Sequence, residues 1–349
     1  MSTEPADQAL TDDGPLRVGL IADAEGVELL APAVSQAPLV VAAQSGPRPQ
    51  PTLLPGAEWH DDERVMLAQS GIQAVLVATS ARAAPGLSEL AAERRLCVWR
   101  LPPVARSFAE AAEFTQRCRK QGWYCRVASW WEAVAEQVRW GLEYDEGVKP
   151  GYTEIRVAAV GPSVQSWRAS LVDAPGGVLA TDGYQMLEAL VGARGLPESV
   201  SAVVANVRRR PGEVPRETED VATALFRYEG GRSAAVHATW DVPPFAQSTA
   251  HHGPELTVVL RPDGVAVHSR AGELLDEDTL APDDFLRGEL ERFVAAVRQP
   301  DLASPQGVTL ERHMAVTALL QATYLSARTG QPESPLKFYE VQGWPEPQQ

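Results

Sequence analysis

Short apolar runs alternate with helix-length segments over the first third of the chain. Runs rich in Val, Leu, Ile and Ala, without polar alternation, predict strands at Arg17–Ile21, Leu39–Ala43, Ala74–Ala78 and Leu96–Trp99. Such runs, separated by helices, are typical of a parallel sheet that is covered on both faces. The segment Ser107–Gln121 predicts a helix, with Ser107 as N-cap, Glu110 completing a capping box and Gly122 ending it.

The second half of the chain has a different pattern. Segments with strand character follow one another at Glu217–Tyr228, Arg232–Trp240, Glu255–Leu260 and Val265–Ser269. The turns Glu229–Gly231 and Arg261–Gly264 are too short for a crossover, so we expect antiparallel pairs here. Two helices, Asp284–Gln299 and Leu310–Thr329, follow. The predicted fold class is α/β: a parallel sheet domain, then an α+β domain with a large open, mainly antiparallel sheet.

The length and the apolar content set the domain organisation. A chain of 349 residues can bury two cores, and we place a disordered tail at 1–14, the parallel domain at 15–125, the α+β domain at 126–340 and a tail at 341–349. No apolar run approaches the roughly 18 residues of a membrane span, and the polar start is unlike a signal peptide. We therefore expect a cytoplasmic protein with no membrane partner.

Charge and the cysteine and histidine residues exclude several functions. A formal net charge of −15 repels phosphate backbones, so nucleic acid is not an expected partner, and the Arg208–Arg210 run is interpreted as solvated.

Three cysteines lack the paired spacing of a zinc site and predict reduced, mostly buried thiols: Cys97, Cys118 and Cys125. Adjacent His251 and His252 point to opposite faces of an extended segment. No metal site is predicted.

The first strand and turn, Arg17 to Leu30, resemble a dinucleotide-binding motif without its glycines. That motif is G-x-G-x-x-G because the pyrophosphate must touch backbone N–H groups at the start of the next helix. The three glycine places fall at Ala22, Ala24 and Val27, and the single glycine present, Gly26, is one residue out of register. Side chains therefore obstruct the phosphate position.

Charge adds to this obstruction. Asp23 and Glu25 put carboxylates where a pyrophosphate would lie, and each like-charge contact costs roughly 1 kcal/mol or more. The second strand is followed by Ser45 rather than by an acid that could hold a ribose hydroxyl. Ser45 and Arg48 are an alternative site for a 2′-phosphate, although a solvated Arg48 is the simpler interpretation. NAD(P) binding is predicted to be weak or absent, and a site that still binds NAD(P) is the alternative.

In this context the chain resembles the glucose–fructose oxidoreductase/inositol dehydrogenase (Gfo/Idh/MocA) family, from Leu16 to Leu336. The resemblance rests on the order and spacing of several segments: Arg17–Ile21, Ala74–Thr79, Gly176–Leu179, Glu198–Val204 and Ser326–Gly330. It implies a Rossmann domain, a C-terminal domain with an open antiparallel sheet, and oligomers formed through that sheet. It also implies NAD(P)-linked oxidation or reduction of sugars and polyols. If a cofactor is held, the matching positions are Ala22, Asp23, Ala24, Glu25, Gly26, Ser45 and Thr79.

The family's proton-transfer lysine is missing. It belongs to an E-K-P motif after the fourth strand of the Rossmann core, which is matched here by Arg100-Leu101-Pro102. Leu101 replaces the lysine and cannot donate or accept a proton, a loss usually worth about 100- to 10,000-fold in rate. Arg100 is adjacent, but its guanidinium stays protonated and is a poor base.

The family's histidine is missing as well. It ends a D-x-G-x-H motif, whose places fall at Thr181, Gly183 and Gln185. Gln185 can form hydrogen bonds but cannot titrate near neutral pH. Asp182 and Tyr184 are possible substitutes, although a shift of one residue on a helix turns a side chain by about 100°.

The resemblance also defines a substrate pocket, lined by Thr79, Arg100, Trp130, Trp131, Asp182, Tyr184 and Gln185. Aromatic faces beside amide and carboxylate groups suit a polar, sugar-like small molecule. Packing of Trp130 and Trp131 against a helix is the alternative.

Three functions remain open at this stage. The first is a catalytically impaired homologue that acts as a small-molecule-binding, regulatory or partner subunit. The second is an active NAD(P)-dependent dehydrogenase with relocated acid–base groups, Asp182 or Tyr184. The third is a structural oligomer, either a homo-oligomer or a hetero-oligomer with an active paralogue, formed through the C-terminal sheet. Exposed apolar positions on Arg232–Trp240 and Glu255–Leu260 would support the third.

Overall fold

The computed structural model describes residues 14–48, 53–68, 71–130, 132, 151–207, 214–279, 284–299 and 306–347. Trp131, the Arg208–Arg210 run and most of the predicted N-terminal tail lie outside these residues.

The N-terminal half forms a parallel sheet with helices on both faces. Its strands are β1 Leu16–Ala22, β2 Leu39–Ser45, β3 Glu58–His60, β4 Ala74–Ala78, β5 Cys97–Arg100 and β6 Cys125–Val127, in the order β3-β2-β1-β4-β5-β6. Its helices are α1 Ala24–Gln36, α2 Glu63–Leu67, α3 Ala84–Ala92 and α4 Phe108–Gln121. All neighbouring strands are parallel. The strand order reverses between β1 and β4, which is where ligands of such sheets bind.

The α4 helix begins as its sequence predicts, with one difference. Ser107 is the N-cap, and its hydroxyl accepts from the Glu110 N–H at 3.2 Å. The Glu110 carboxylate bonds to the N–H and guanidinium of Arg106 rather than to the Ser107 N–H. Gly122 ends the helix in the left-handed conformation, with φ of 66°.

The C-terminal half is built on a second, larger sheet. Its strands are β7 Tyr152–Ala159, β8 Ser199–Ala205, β9 Val221–Arg227, β10 Ser233–Trp240, β11 Ala246–His252, β12 Leu256–Arg261, β13 Gly264–Ser269 and β14 Leu274–Thr279, in the order β14-β13-β12-β11-β7-β10-β9-β8. All pairs are antiparallel except β7 with β10. The predicted fold class is confirmed. His251 and His252 face opposite sides of β11, as predicted, since His251 is 1% exposed and His252 is partly exposed.

Helices from the C-terminal half join the two sheets. They are α5 Tyr184–Arg194, α6 Asp284–Arg298, α7 Gln306–Thr329 and α8 Leu336–Gln342. Leu290, Phe293 and Val294 of α6 are buried against the β1 side of the N-terminal sheet. The α7 helix packs against β8, β6 and α4. The sheets are therefore held by cores that run from one half of the chain into the other. Among the described residues, no helix has the length and apolar character needed to span a membrane.

Close packing of α1 on β4 requires a glycine. A Cβ atom added to Gly26 would lie 2.2 Å from the carbonyl oxygen of Ala78. The Gly26→Ala variant should therefore lose about 2–3 kcal/mol of unfolding free energy, because backbone must move to admit the methyl group. Urea denaturation followed by circular dichroism measures this loss.

Gly86 provides the matched control, because a Cβ there meets nothing within 4 Å and the residue lies in α3. Gly86→Ala should raise the unfolding free energy by about 0.5 kcal/mol. Equal effects of the two substitutions would contradict the packing argument.

Candidate functional site

The candidate site lies at the carboxyl ends of β1, β4 and β5. Facing these strand ends are two parts of the C-terminal half, the 3-10 turn Trp167–Ala169 and the segment that leads into α5. This is the position that the sequence predicts for a cofactor and its substrate.

The first turn is occupied by its own carboxylate. Asp23 is the N-cap of α1, and its carboxylate accepts a hydrogen bond from the Gly26 N–H at 2.8 Å. The Asp23 N–H donates to the Ala78 carbonyl at 3.1 Å, which fixes the turn against β4. A phosphate at a helix N-terminus would use the same N–H groups. An internal anion thus already bonds to the donor that a pyrophosphate would need.

The environment of Asp23 disfavours its charge. Burial raises the pKa of the Asp23 carboxyl, the hydrogen bond from Gly26 opposes this rise, and the nearby Glu25 charge adds to it. Gly26 itself lies against Ala78 and provides the close helix-to-strand contact that the last glycine of the motif usually provides. Ala24 is exposed on the first turn of α1.

An arginine of the C-terminal half bridges the turn to the opposite side of the site. Arg168 Nε lies 3.0 Å from Glu25 Oε2, and Arg168 Nη1 lies 3.3 and 3.2 Å from the two Asp182 oxygens. The side chains are only partly exposed, by 24% for Arg168 and 17% for Asp182. The guanidinium therefore links two carboxylates that face each other from the two halves of the chain.

Asp182 accepts further hydrogen bonds. The buried Trp240 donates its indole N–H to Asp182 Oδ2 at 2.9 Å, and Thr181 Oγ1 lies 3.1 Å from the same oxygen. Thr181 Oγ1 also lies 2.9 Å from the Gly177 carbonyl. The single Thr181 hydroxyl proton is shared between these two acceptors, so Asp182 is held as an acceptor chiefly by Arg168 and Trp240.

The positions matched to the family lysine and histidine carry no titratable group. Leu101 follows β5, is half-buried and packs against the core on the β1 side. Gln185 lies in the first turn of α5 and is half-buried. Thr79 follows β4, and its buried hydroxyl has no hydrogen-bond partner among the described residues.

Three other predicted site residues lie in the core. Arg100 and Tyr184 are 0% and 1% exposed, and Trp130 is 3% exposed. The Tyr184 hydroxyl lies 3.1 Å from His313 Nδ1, and the two rings stack. Burial raises the pKa of Tyr184 far above its ordinary value and lowers that of Arg100 to about 10. Of the three, Arg100 and Tyr184 lie close enough to interact electrostatically. Trp131 lies outside the described residues.

The turn that follows β2 is also closely packed. Gly46 has φ of 123°, and a Cβ there would lie 2.0 Å from the Ala22 carbonyl oxygen. Trp59 donates to the Gly46 carbonyl at 2.8 Å, and the Arg48 guanidinium lies 4.4 Å from the centre of the Trp59 ring. Ser45 is 4% exposed. Arg48 therefore stacks on an aromatic ring beside the turn.

A buried glutamate, Glu219, explains why position 177 is a glycine. Glu219 accepts hydrogen bonds from the Gly177 N–H at 2.5 Å, the Leu179 N–H at 3.2 Å and the Tyr324 hydroxyl at 2.8 Å. A Cβ on Gly177 would lie 1.9 Å from the Glu219 carbonyl oxygen. Burial raises the pKa of Glu219, although these hydrogen bonds oppose the rise. Glu219 anchors the segment that carries Asp182.

The cysteines do not form a metal centre. Cys118 and Cys125 are buried and Cys97 is half-buried, all three as free thiols. Within the ranges that the structure describes, no three His, Cys, Asp or Glu side chains are grouped as metal ligands.

The Arg168 bridge should couple the two halves of the chain measurably. A double-mutant cycle with Glu25→Gln and Arg168→Gln is expected to give a coupling of about 0.5–1 kcal/mol, since the pair is partly solvent-exposed. Urea unfolding of the four proteins measures it. The more exposed pair Arg82 and Asp173, 3.8 Å apart, is the control and should show almost no coupling. Equal coupling in both pairs would contradict a specific role for Arg168.

The capping carboxylate should give a defined pH dependence. Because the folded-state pKa of Asp23 is raised, its contribution to stability is present below about pH 4 and is lost as pH rises through the folded-state pKa. Asp23→Asn retains the cap but cannot ionise, so its stability relative to wild type should increase from acidic to neutral pH.

Urea unfolding across this range measures the difference, and Asp23→Ala is the second arm. That variant loses the cap at every pH, at a cost of about 1 kcal/mol. A constant difference between Asp23→Asn and wild type would refute the assignment.

Comparison with known proteins agrees with this fold. Residues 150–259 match the family model of the GFO/IDH/MocA C-terminal domain. No curated protein sequence matches the chain.

Solved structures match over most of the chain. One is a putative NADPH-dependent oxidoreductase from Desulfitobacterium hafniense DCB-2, with a TM-score of 0.76, 16% identity, and coverage of 93% of this chain and 98% of the other. Another is levoglucosan dehydrogenase in complex with NADH and levoglucosan, with a TM-score of 0.76, 17% identity, and coverage of 92% and 99%. A third is an NAD-binding oxidoreductase from Klebsiella pneumoniae, with a TM-score of 0.70, 17% identity, and coverage of 92% and 98%.

The resemblance seen in the sequence is confirmed by the match of residues 150–259 to the GFO/IDH/MocA C-terminal domain, and the chain has the fold of oxidoreductases of known structure.

Proposed function

We propose that this protein is a catalytically impaired Gfo/Idh/MocA homologue, which binds NAD and NADP weakly or not at all. It acts as a binding, regulatory or partner subunit for a polar, sugar-like small molecule. The observation that carries the proposal is the Asp23 carboxylate on the Gly26 N–H, at the place where a pyrophosphate would bond.

The residues of the turn do not fit a dinucleotide. A pyrophosphate would have to displace the Asp23 carboxylate from α1 and would then lie beside Asp23, Glu25 and Asp182, with Arg168 as the cation that bridges the last two. Each unscreened like-charge contact opposes binding by roughly 1 kcal/mol. The Arg168 bridge would also have to open, since the guanidinium bonds to carboxylates on both sides of the site.

Proton transfer lacks a suitable group as well. Leu101 and Gln185 cannot act as acid or base near neutral pH. Asp182 already accepts from Arg168 and Trp240. Tyr184 is buried against His313, so a substrate in the site would not reach its hydroxyl.

An active dehydrogenase with relocated acid–base groups is the second candidate. One observation favours it: the Thr79 hydroxyl is buried at the carboxyl end of β4 without a partner among the described residues, where a ligand could bond to it. In this case Asp182 would have to act as the base after leaving Arg168.

The exposed side of the C-terminal sheet supports a partner role. Val203 on β8 and Leu225 on β9 are 70% and 58% exposed, and they project from neighbouring strands. On β10 and β12, where exposed apolar positions were expected to support an oligomer, Ala235 and Val259 are only partly exposed. A homo-oligomer, or a hetero-oligomer with an active paralogue, would cover Val203 and Leu225.

Calorimetric titration with NAD⁺, NADH, NADP⁺ and NADPH tests the proposal. We expect no saturable binding up to low-millimolar ligand, because the donor at the start of α1 is occupied and the turn is negative. Levoglucosan dehydrogenase, whose structure holds NADH, is the positive control. Micromolar affinity of the wild type would overturn the proposal and favour an active dehydrogenase.

The activity of the Leu101→Lys variant is a second test of the proposal. It restores a titratable group at the family lysine position but leaves Asp23 and Glu25 in place. Sugar or polyol oxidation, followed by NADH absorbance, should therefore remain at background. Turnover after this single change would show that the turn accepts the cofactor.

A further inference from the structure

Arg100 is a buried arginine of the N-terminal half that has no counter-ion among the described residues. It is the last residue of β5 and is 0% exposed. Its Nη2 donates to the Pro103 carbonyl at 2.9 Å. Its Nε and Nη1 have no hydrogen-bond partner, and no carboxylate among the described residues forms an ion pair with it.

The neighbours of Arg100 cannot neutralise it. They are the Phe114 ring, 5.4 Å from the guanidinium carbon, the thiols of Cys118 and Cys125, and the Tyr184 phenol. Burial raises the pKa of Tyr184, and a hydrogen bond with Cys118 together with burial holds the pKa of Cys125 well above its usual range. Tyr184 and Cys125 are therefore neutral at pH 7, and no carboxylate is among these neighbours, whereas Arg100, with a pKa of about 10, is charged.

A second buried polar group, on α4, also has no partner among the described residues. Thr115 lies on α4 next to Phe114, is 0% exposed, and its hydroxyl has no hydrogen-bond partner among the described residues. Buried polar groups in proteins are almost always bonded to protein, water or an ion, and a buried charge without a partner is rarer still. Two unpartnered N–H groups on one buried guanidinium indicate that something bonds to it.

We infer that Arg100 binds a small monovalent anion of halide size in the core between β5 and α4. The unpartnered groups of Arg100 are two guanidinium N–H groups, which can only donate. Donors without acceptors suit an anion better than water, which also needs acceptors. The guanidinium has no exposed surface, which excludes a ligand as large as a sugar carboxylate or a nucleotide phosphate. This site is separate from the cofactor turn and does not depend on the proposed function.

Thermal unfolding in chloride tests the inference. Chloride is raised from about 10 mM to about 1 M at constant ionic strength, with gluconate, too large for a closed site, as the replacing anion. We expect the Tm of the wild type to rise by about 3 °C for each tenfold increase in chloride above its Kd. Crystals grown in bromide should show an anomalous peak within about 3.5 Å of Arg100 Nε or Nη1.

Two variants separate the site from general salt effects. Arg100→Met removes the buried charge and should abolish the chloride dependence, while the protein stays folded, since an apolar side chain of similar length replaces a desolvated charge. Arg117→Met, on the exposed face of α4, should keep the full dependence. The inference fails if Arg100→Met shows the same chloride slope as the wild type, or if the bromide peak is absent.

Discussion

The contact between the Asp23 carboxylate and the start of α1 determines what the site can do. A helix that follows the first strand of a parallel sheet presents free N–H groups and a positive dipole end to the ligand position. Here the chain satisfies the Gly26 N–H with its own anion, 2.8 Å away. The same residues that cap the helix therefore compete with any phosphate for it. A single residue links local helix stability to the loss of a binding function.

The rest of the site follows from compensating this negative charge. With Asp23 and Glu25 two residues apart in the turn, a cation is needed, and Arg168 reaches across from the C-terminal half to supply it. Arg168 also contacts Asp182, which accepts a hydrogen bond from the Trp240 indole. Glu219 holds the backbone of the same segment by accepting a hydrogen bond from the Gly177 N–H. The carboxylates are therefore satisfied by the protein, which leaves Gln185 and Thr79 as the groups available to a ligand.

Local pattern was enough to predict the fold class, the β4 strand and the capped start of α4, because apolar runs and caps depend on neighbours in the sequence. The β11 strand, Ala246–His252, was missed because its polar residues hide the alternation. Arg168 and Trp240 were missed for a different reason: their role depends on contacts with residues far away in the chain, which no spacing reveals. Gly177 was a usable signal for Glu219, since its close approach to the Glu219 backbone excludes a side chain.

The alternation of β5 explains why Arg100 cannot replace the missing lysine. Successive side chains of a strand point to opposite faces. Val98 and Arg100 point toward α4, where the guanidinium meets Phe114, whereas Trp99 and Leu101 pack on the face shared with β1. Arg100 therefore stands on the wrong face for chemistry at the carboxyl end of the sheet, although it is next to Leu101 in sequence. A base at this site therefore requires a substitution at position 101, because a charged side chain at position 100 lies inside the core.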